Sequence, residues 1–106
     1  MNQETCKRIS QWIDQYAHTN DLSTLVVGVS GGVDSALVST LCAMTGRRTI
    51  LLNIPIISKA ESTALSTLQC SWLEDNHENV EVFNIDLSKT FREFRWFFLA
   101  KKKRGY

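Results

Sequence analysis

Val26-Val27-Gly28-Val29-Ser30-Gly31-Gly32-Val33-Asp34-Ser35-Ala36-Leu37 decides how this chain is read. The stretch opens on a short β-branched run, Leu25 to Val29, and closes on a helix-forming run, Ser35 to Met44. Gly46 is a natural stop for that helix. A continuous apolar run of this length predicts a strand buried on both faces, as in a parallel sheet. Between strand and helix lies a glycine-rich turn. In an open α/β sheet that junction is where ligands bind.

The composition of the turn predicts a phosphate cradle. Gly31 and Gly32 lack side chains, so backbone N–H groups can approach an anion and φ can turn positive. The following helix start adds unpaired N–H groups and a positive dipole end. Ser30 and Ser35 carry hydroxyl donors. Asp34 is of the wrong sign for phosphate unless a cation lies between, and Mg²⁺ is held by carboxylates together with phosphate oxygens. Asp34 is therefore a candidate magnesium ligand; an aspartate here also suits a plain helix N-cap. A Walker loop does not fit, because no lysine precedes Ser35. The dinucleotide fingerprint fails on the spacing of Gly28, Gly31 and Gly32.

Outward from the loop, the pattern alternates. Before it, residues 4–18 carry Cys6, Ile9, Trp12, Ile13, Tyr16 and Ala17 on one predicted helix face. After it, Thr49 to Ile54 reads as a second buried strand ending near Pro55. Ser58-Lys59-Ala60-Glu61 has capping-box spacing, and the helix it starts carries Ala60, Ala64, Leu65, Leu68 and Trp72 as its expected core stripe. Val80 to Ile85 is a third strand, and Ser88 precedes a last helical stretch with Phe91 and Phe94. Strands and helices in alternation predict an α/β fold, a parallel sheet with helices on both faces joined by right-handed crossovers.

The bulk numbers narrow the function. The chain has 106 residues, a net charge of +1 and 22% charged residues. That size suits one domain. The near-neutral balance gives no general attraction to nucleic acid or to an acidic membrane. No apolar run approaches the length of a bilayer span, and the N-terminus lacks a signal-peptide pattern. A cytoplasmic protein is expected. Cys6, Cys42 and Cys70 form no ligand pair and read as buried, reduced thiols. His18 and His77 carry no usable signal.

Ser30-Gly31-Gly32-Val33-Asp34-Ser35 resembles the signature of the N-type ATP pyrophosphatases, the PP-loop superfamily. Their Rossmann-like fold holds ATP for cleavage between its α- and β-phosphates. The flanks resemble the ammonia-dependent NAD synthetases within that class. Ile9-Ser10-Gln11-Trp12-Ile13 and Tyr16 are similar to the family's opening helix. Asn53-Ile54-Pro55-Ile56 is similar to its Leu-Pro-Met-Pro segment. Ile85-Asp86-Leu87-Ser88-Lys89-Thr90-Phe91 resembles the segment after the third strand. GMP synthetases and tRNA-thiolating enzymes usually have an aspartate after strand two, and this chain has none there.

The resemblance implies an ATP-dependent amide ligase: deamido-NAD, ATP and ammonia give NAD, AMP and pyrophosphate. It implies that Gly28, Val29, Ser30, Gly31, Gly32, Val33, Asp34 and Ser35 bind ATP, that Asp34 holds Mg²⁺, and that Ile54, Pro55 and Ile56 contact adenine. An apolar Ile-Pro-Ile is equally the plain end of a buried strand. The family's members are dimeric and considerably longer. Residues 95–106, aromatic and then basic, resemble nothing in the family. They suggest a truncated or frameshifted product, with a short nucleotide-binding module or an interfacial anchor as alternatives. The ATP-binding part is placed at 1–94, and the chain alone is not expected to make NAD. The competing functions are a non-catalytic adenine-nucleotide module and a fragment of another enzyme of the class, such as a GMP synthetase.

Overall fold

The structure is a computed structural model and describes residues 2–54, 60–85 and 93, with the side chains of 60–64 left aside. Its elements are α1 (Gln3–Thr19), β1 (Thr24–Val29), α2 (Val33–Ala43), β2 (Arg48–Asn53), α3 (Ala60–Asn76) and β3 (Val80–Asn84). The three strands form one parallel sheet in the order β1-β2-β3. The expected α/β alternation is borne out. Ser58 and Lys59 of the capping box, the segment 86–92 and the tail 95–106 lie outside the described residues.

Consecutive parallel strands in sequence order place α2 and α3 on the same face, since both crossovers share one hand. Val27, Val29, Leu51 and Val80 point to that face and form the core with Cys42 and Ala43 of α2 and Cys70 and Leu73 of α3. α1 packs on α2: Ser10, buried, donates its hydroxyl to Leu41 O at 3.0 Å. Arg47 ties the same corner, its Nε 2.6 Å from Asp14 Oδ1 and its Nη1 3.0 Å from Leu22 O.

Three expectations need correction. β1 is not buried on both faces: Val26 is 60% exposed, while Val27 and Val29 are buried. The reason is position, because among the described residues β1 pairs with β2 alone and its second face carries no helix. In α1, Trp12 and Tyr16 lie outside the core at 63% and 54% exposure and stack on one another, with ring centroids 5.5 Å apart. Ser10 and Ala17 take the buried positions. In α3, the described part of the expected stripe is not the buried one, and the side chains of Ala60 and Ala64 lie outside the described residues. Ser66, Cys70 and Leu73 are buried, while Leu65, Leu68 and Trp72 are more than half exposed. The apolar arc of α3 is too wide for periodicity to choose which half faces the sheet.

The expectation of buried thiols holds for Cys42 and Cys70, while Cys6 on α1 is only half-buried. Cys42 and Cys70 are buried and free, and burial pushes both thiols up; Glu74 raises Cys70 further.

Candidate functional site

The loop stands where the sequence puts it, between the end of β1 and the start of α2. Gly31 has φ +94°, a conformation that a side chain would strain. Gly32 does not: at φ −81° and ψ 162° it is extended and serves as the N-cap of α2. This corrects two readings. Only the first glycine supplies positive φ, and Asp34 is not the cap but an acid in the first helical turn.

Gly32 offers no side chain to cap the helix, and the first helical bond runs from Ala36 N to Gly32 O at 3.2 Å. The N–H groups of Val33, Asp34 and Ser35 therefore belong to the unpaired first turn. They form an open donor set at the positive end of the helix. Ser35 is used differently from expectation. Its hydroxyl donates to Gly32 O at 3.1 Å and accepts from Ser30 N at 3.3 Å. It holds the loop's shape and is not turned outward as a free donor.

Gly28 lies before the loop on the uncovered face of β1. A Cβ there would meet Ile54 Cδ1 at 3.7 Å, an ordinary contact. Ile54 continues β2 and donates its N–H to Val29 O at 3.1 Å. It thus borders β1 next to the loop, on the face away from α2 and α3. Pro55 and Ile56 lie outside the described residues.

A cleft of about 500 Å³ opens beside the loop. Val29, Gly31, Gly32 and Val33 bound one side, and Leu65, Leu68 and Trp72 of α3 the other. Gln69 fixes the distance between the two walls. Its Nε2 reaches Ala36 O at 3.1 Å and Thr40 Oγ1 at 3.0 Å, both on α2. The α3 wall was missed as a site feature because its residues read as core.

For a cation, the loop's donor chemistry is limited but compatible. Among the described residues no cluster of three His, Cys, Asp or Glu side chains exists. Asp34 supplies one exposed carboxylate in the first turn of α2. That fits an ion whose other ligands are phosphate oxygens and water.

Comparison with known proteins adds the family. The sequence profile described as NAD synthase matches residues 5–97. An NH3-dependent NAD synthetase from Campylobacter jejuni subsp. jejuni is 27% identical, with a TM-score of 0.71 over 89% of this chain and 40% of its own. An NMN synthetase from Francisella tularensis shares the fold at a TM-score of 0.73 and 22% identity, over 95% of this chain and 39% of its own. The tRNA-specific 2-thiouridylase MnmA of Chlorobium phaeovibrioides is 36% identical over 72 residues, 67% of this chain and 20% of that protein. The chain thus spans well under half the length of these proteins. The loop with its flanking strands and helices, matched from residue 5 to residue 97, places this chain in the NAD synthase family.

Proposed function

We propose that this chain supplies the ATP-binding part of an ATP-dependent amide ligase of NAD synthesis. In that reaction the carboxylate of deamido-NAD attacks the α-phosphorus of ATP and pyrophosphate leaves. Ammonia then displaces AMP from the acyl adenylate, giving NAD. The observation that carries the reading is the uncapped start of α2 behind the positive-φ Gly31. The backbone N–H groups of Gly31 to Ser35 hold the β- and γ-phosphates and receive the negative charge that grows on the leaving pyrophosphate. Such pre-aligned donors stabilise the transition state without reorganising. Val29 and Ser30 set the loop's origin, and Ser35 braces it through Gly32 O and Ser30 N.

Asp34 would hold Mg²⁺ at the loop. When bound, the ion neutralises phosphate charge and orients the leaving group. The protein contributes position, and no covalent intermediate with a side chain is needed.

Titration with ATP tests this. Wild-type protein binds ATP more tightly with Mg²⁺ than without, and Asp34→Ala abolishes that difference. An unchanged magnesium dependence in the variant removes Asp34 from the site.

The 36% identity to a 2-thiouridylase favours a second reading, an ATP-pyrophosphatase-class enzyme with another acceptor. ATP binding is common to both readings. Amidation of deamido-NAD by the protein distinguishes them.

A further inference from the structure

The two ends of α2 are held differently. Its buried residues are Ser39, Leu41, Cys42 and Ala43, and Cys42 and Ala43 belong to the core. The end that carries the loop has no such support, since Gly32, Val33 and Asp34 are exposed. Ala36 and Cys42 are about 9 Å apart along the helix, at 1.5 Å per residue. Rocking of α2 about its buried end therefore displaces the loop's open N–H groups. A binding site needs such groups held to a fraction of an ångström.

Gln69 of α3, half-buried, meets α2 between these ends. Its Nε2 lies 3.1 Å from Ala36 O, 3.0 Å from Thr40 Oγ1 and 3.3 Å from Ser39 Oγ. Ala36 O only accepts, so it fixes the amide with its nitrogen toward α2. The Ser39 and Thr40 hydroxyls donate to the same carbonyl, at 3.0 Å and 2.8 Å. Ala36 is also the first residue that braces the loop. Its N–H donates to Gly32 O at 3.2 Å, Gly32 O accepts from the Ser35 hydroxyl, and that hydroxyl accepts from Ser30 N. Hydrogen bonds thus run from residue to residue between α3 and the start of the loop.

We infer that Gln69 is a positioning residue of the loop: it fixes the loop-bearing end of α2 against α3 and so aims the backbone donors at phosphate. This rests on the ATP reading above and adds to it the side chain that sets the geometry of the anion site. Gln69 acts through Ala36 and not by touching the nucleotide.

Calorimetric titration of the whole chain with tripolyphosphate in Mg²⁺ tests this, with the Gly31 and Gly32 amide signals followed by NMR. Four proteins are compared: wild type, Gln69→Met, Thr40→Val and Cys70→Ala. Gln69→Met keeps the side chain's length and removes its donors. It weakens tripolyphosphate roughly three- to tenfold and shifts both glycine signals in the ligand-free protein. Thr40→Val is milder, removing one acceptor of Gln69, and moves both readings the same way, with affinity down about twofold. Cys70→Ala removes a core side chain from α3. It lowers the urea midpoint but leaves the affinity and the glycine signals as in wild type. Two results overturn the inference alone, provided that tripolyphosphate binds wild type. One is wild-type affinity in folded Gln69→Met and in Thr40→Val. The other is a loss in Cys70→Ala as large as that in Gln69→Met. Should Gln69→Met fail to fold, Thr40→Val decides by itself. Failure of tripolyphosphate to bind wild type overturns the ATP reading, and the positioning role falls with it.

Discussion

The two halves of α3's apolar arc behave as opposites. One half, Ser66, Cys70 and Leu73, lies on the sheet and is almost wholly buried. The other, Leu65, Leu68 and Trp72, is bulkier and faces the cleft. Size explains part of the choice. Small side chains at 66 and 70 let the helix settle close on β2 and β3, with Leu73 filling the one larger space. Gln69 sits between the halves and ties the helix to α2. The contrast teaches that apolar bulk on a helix does not by itself mean core. Here the smaller residues carry the packing, and the larger ones stand next to the glycine-rich loop.

Substitutions can sharpen or break this contrast. Leu73→Ala in the buried half carries the largest expected effect, a loss of about 2–5 kcal/mol in urea unfolding. A loss well below that range would mean that the buried half is not the true core. Gly31→Ala comes next, at about 1–2 kcal/mol, because its φ of +94° disfavours a side chain. ATP affinity should drop in the same variant, linking loop strain to binding. Leu68→Ser in the exposed half should change stability by no more than about 0.5 kcal/mol. A larger loss would show that the cleft wall is structural.

The smallest effect concerns the thiols. Cys6 is half-buried, and a thiol reagent should modify it first, with Cys42 and Cys70 reacting only on unfolding. Burial raises Cys42 above its ordinary 9.0, so the unfolded chain loses that proton at lower pH than the folded one. The stability tied to the buried thiol is full below the ordinary value and declines as pH rises through the higher folded value. Unfolding monitored from pH 7 upward should show this decline, and Cys42→Ala should lessen it.

Much of the fold was legible in the sequence, and Leu25 to Gly46 shows why. β-branched residues, two glycines and a helix-forming run are local signals, and local signals survive in any packing. The second and third strands were equally clear, since short apolar runs between polar turns admit few other readings. α1 and α3 were read as helices correctly, but their buried faces were misplaced at Trp12, Tyr16, Leu65, Leu68 and Trp72. Periodicity gives an arc, and only the neighbouring elements select the part of it that is covered. The same holds for β1, whose uncovered face at Val26 depends on where the strand lies in the sheet.

The sequence by itself determined the loop: its place after a strand, its glycines and the lone carboxylate of Asp34. It also determined the family, through flanks on both sides of that loop. Only the tertiary structure decided how the loop works. It made Gly32 the cap in place of Asp34, turned the Ser35 hydroxyl inward, and gave positive φ to Gly31 but not to Gly32. It also brought Gln69 and Trp72 beside a loop far from them in sequence. The physical reason is that residue type sets which hydrogen bonds a group can make, while the packing of β2 and α3 against α2 sets which partners are in reach.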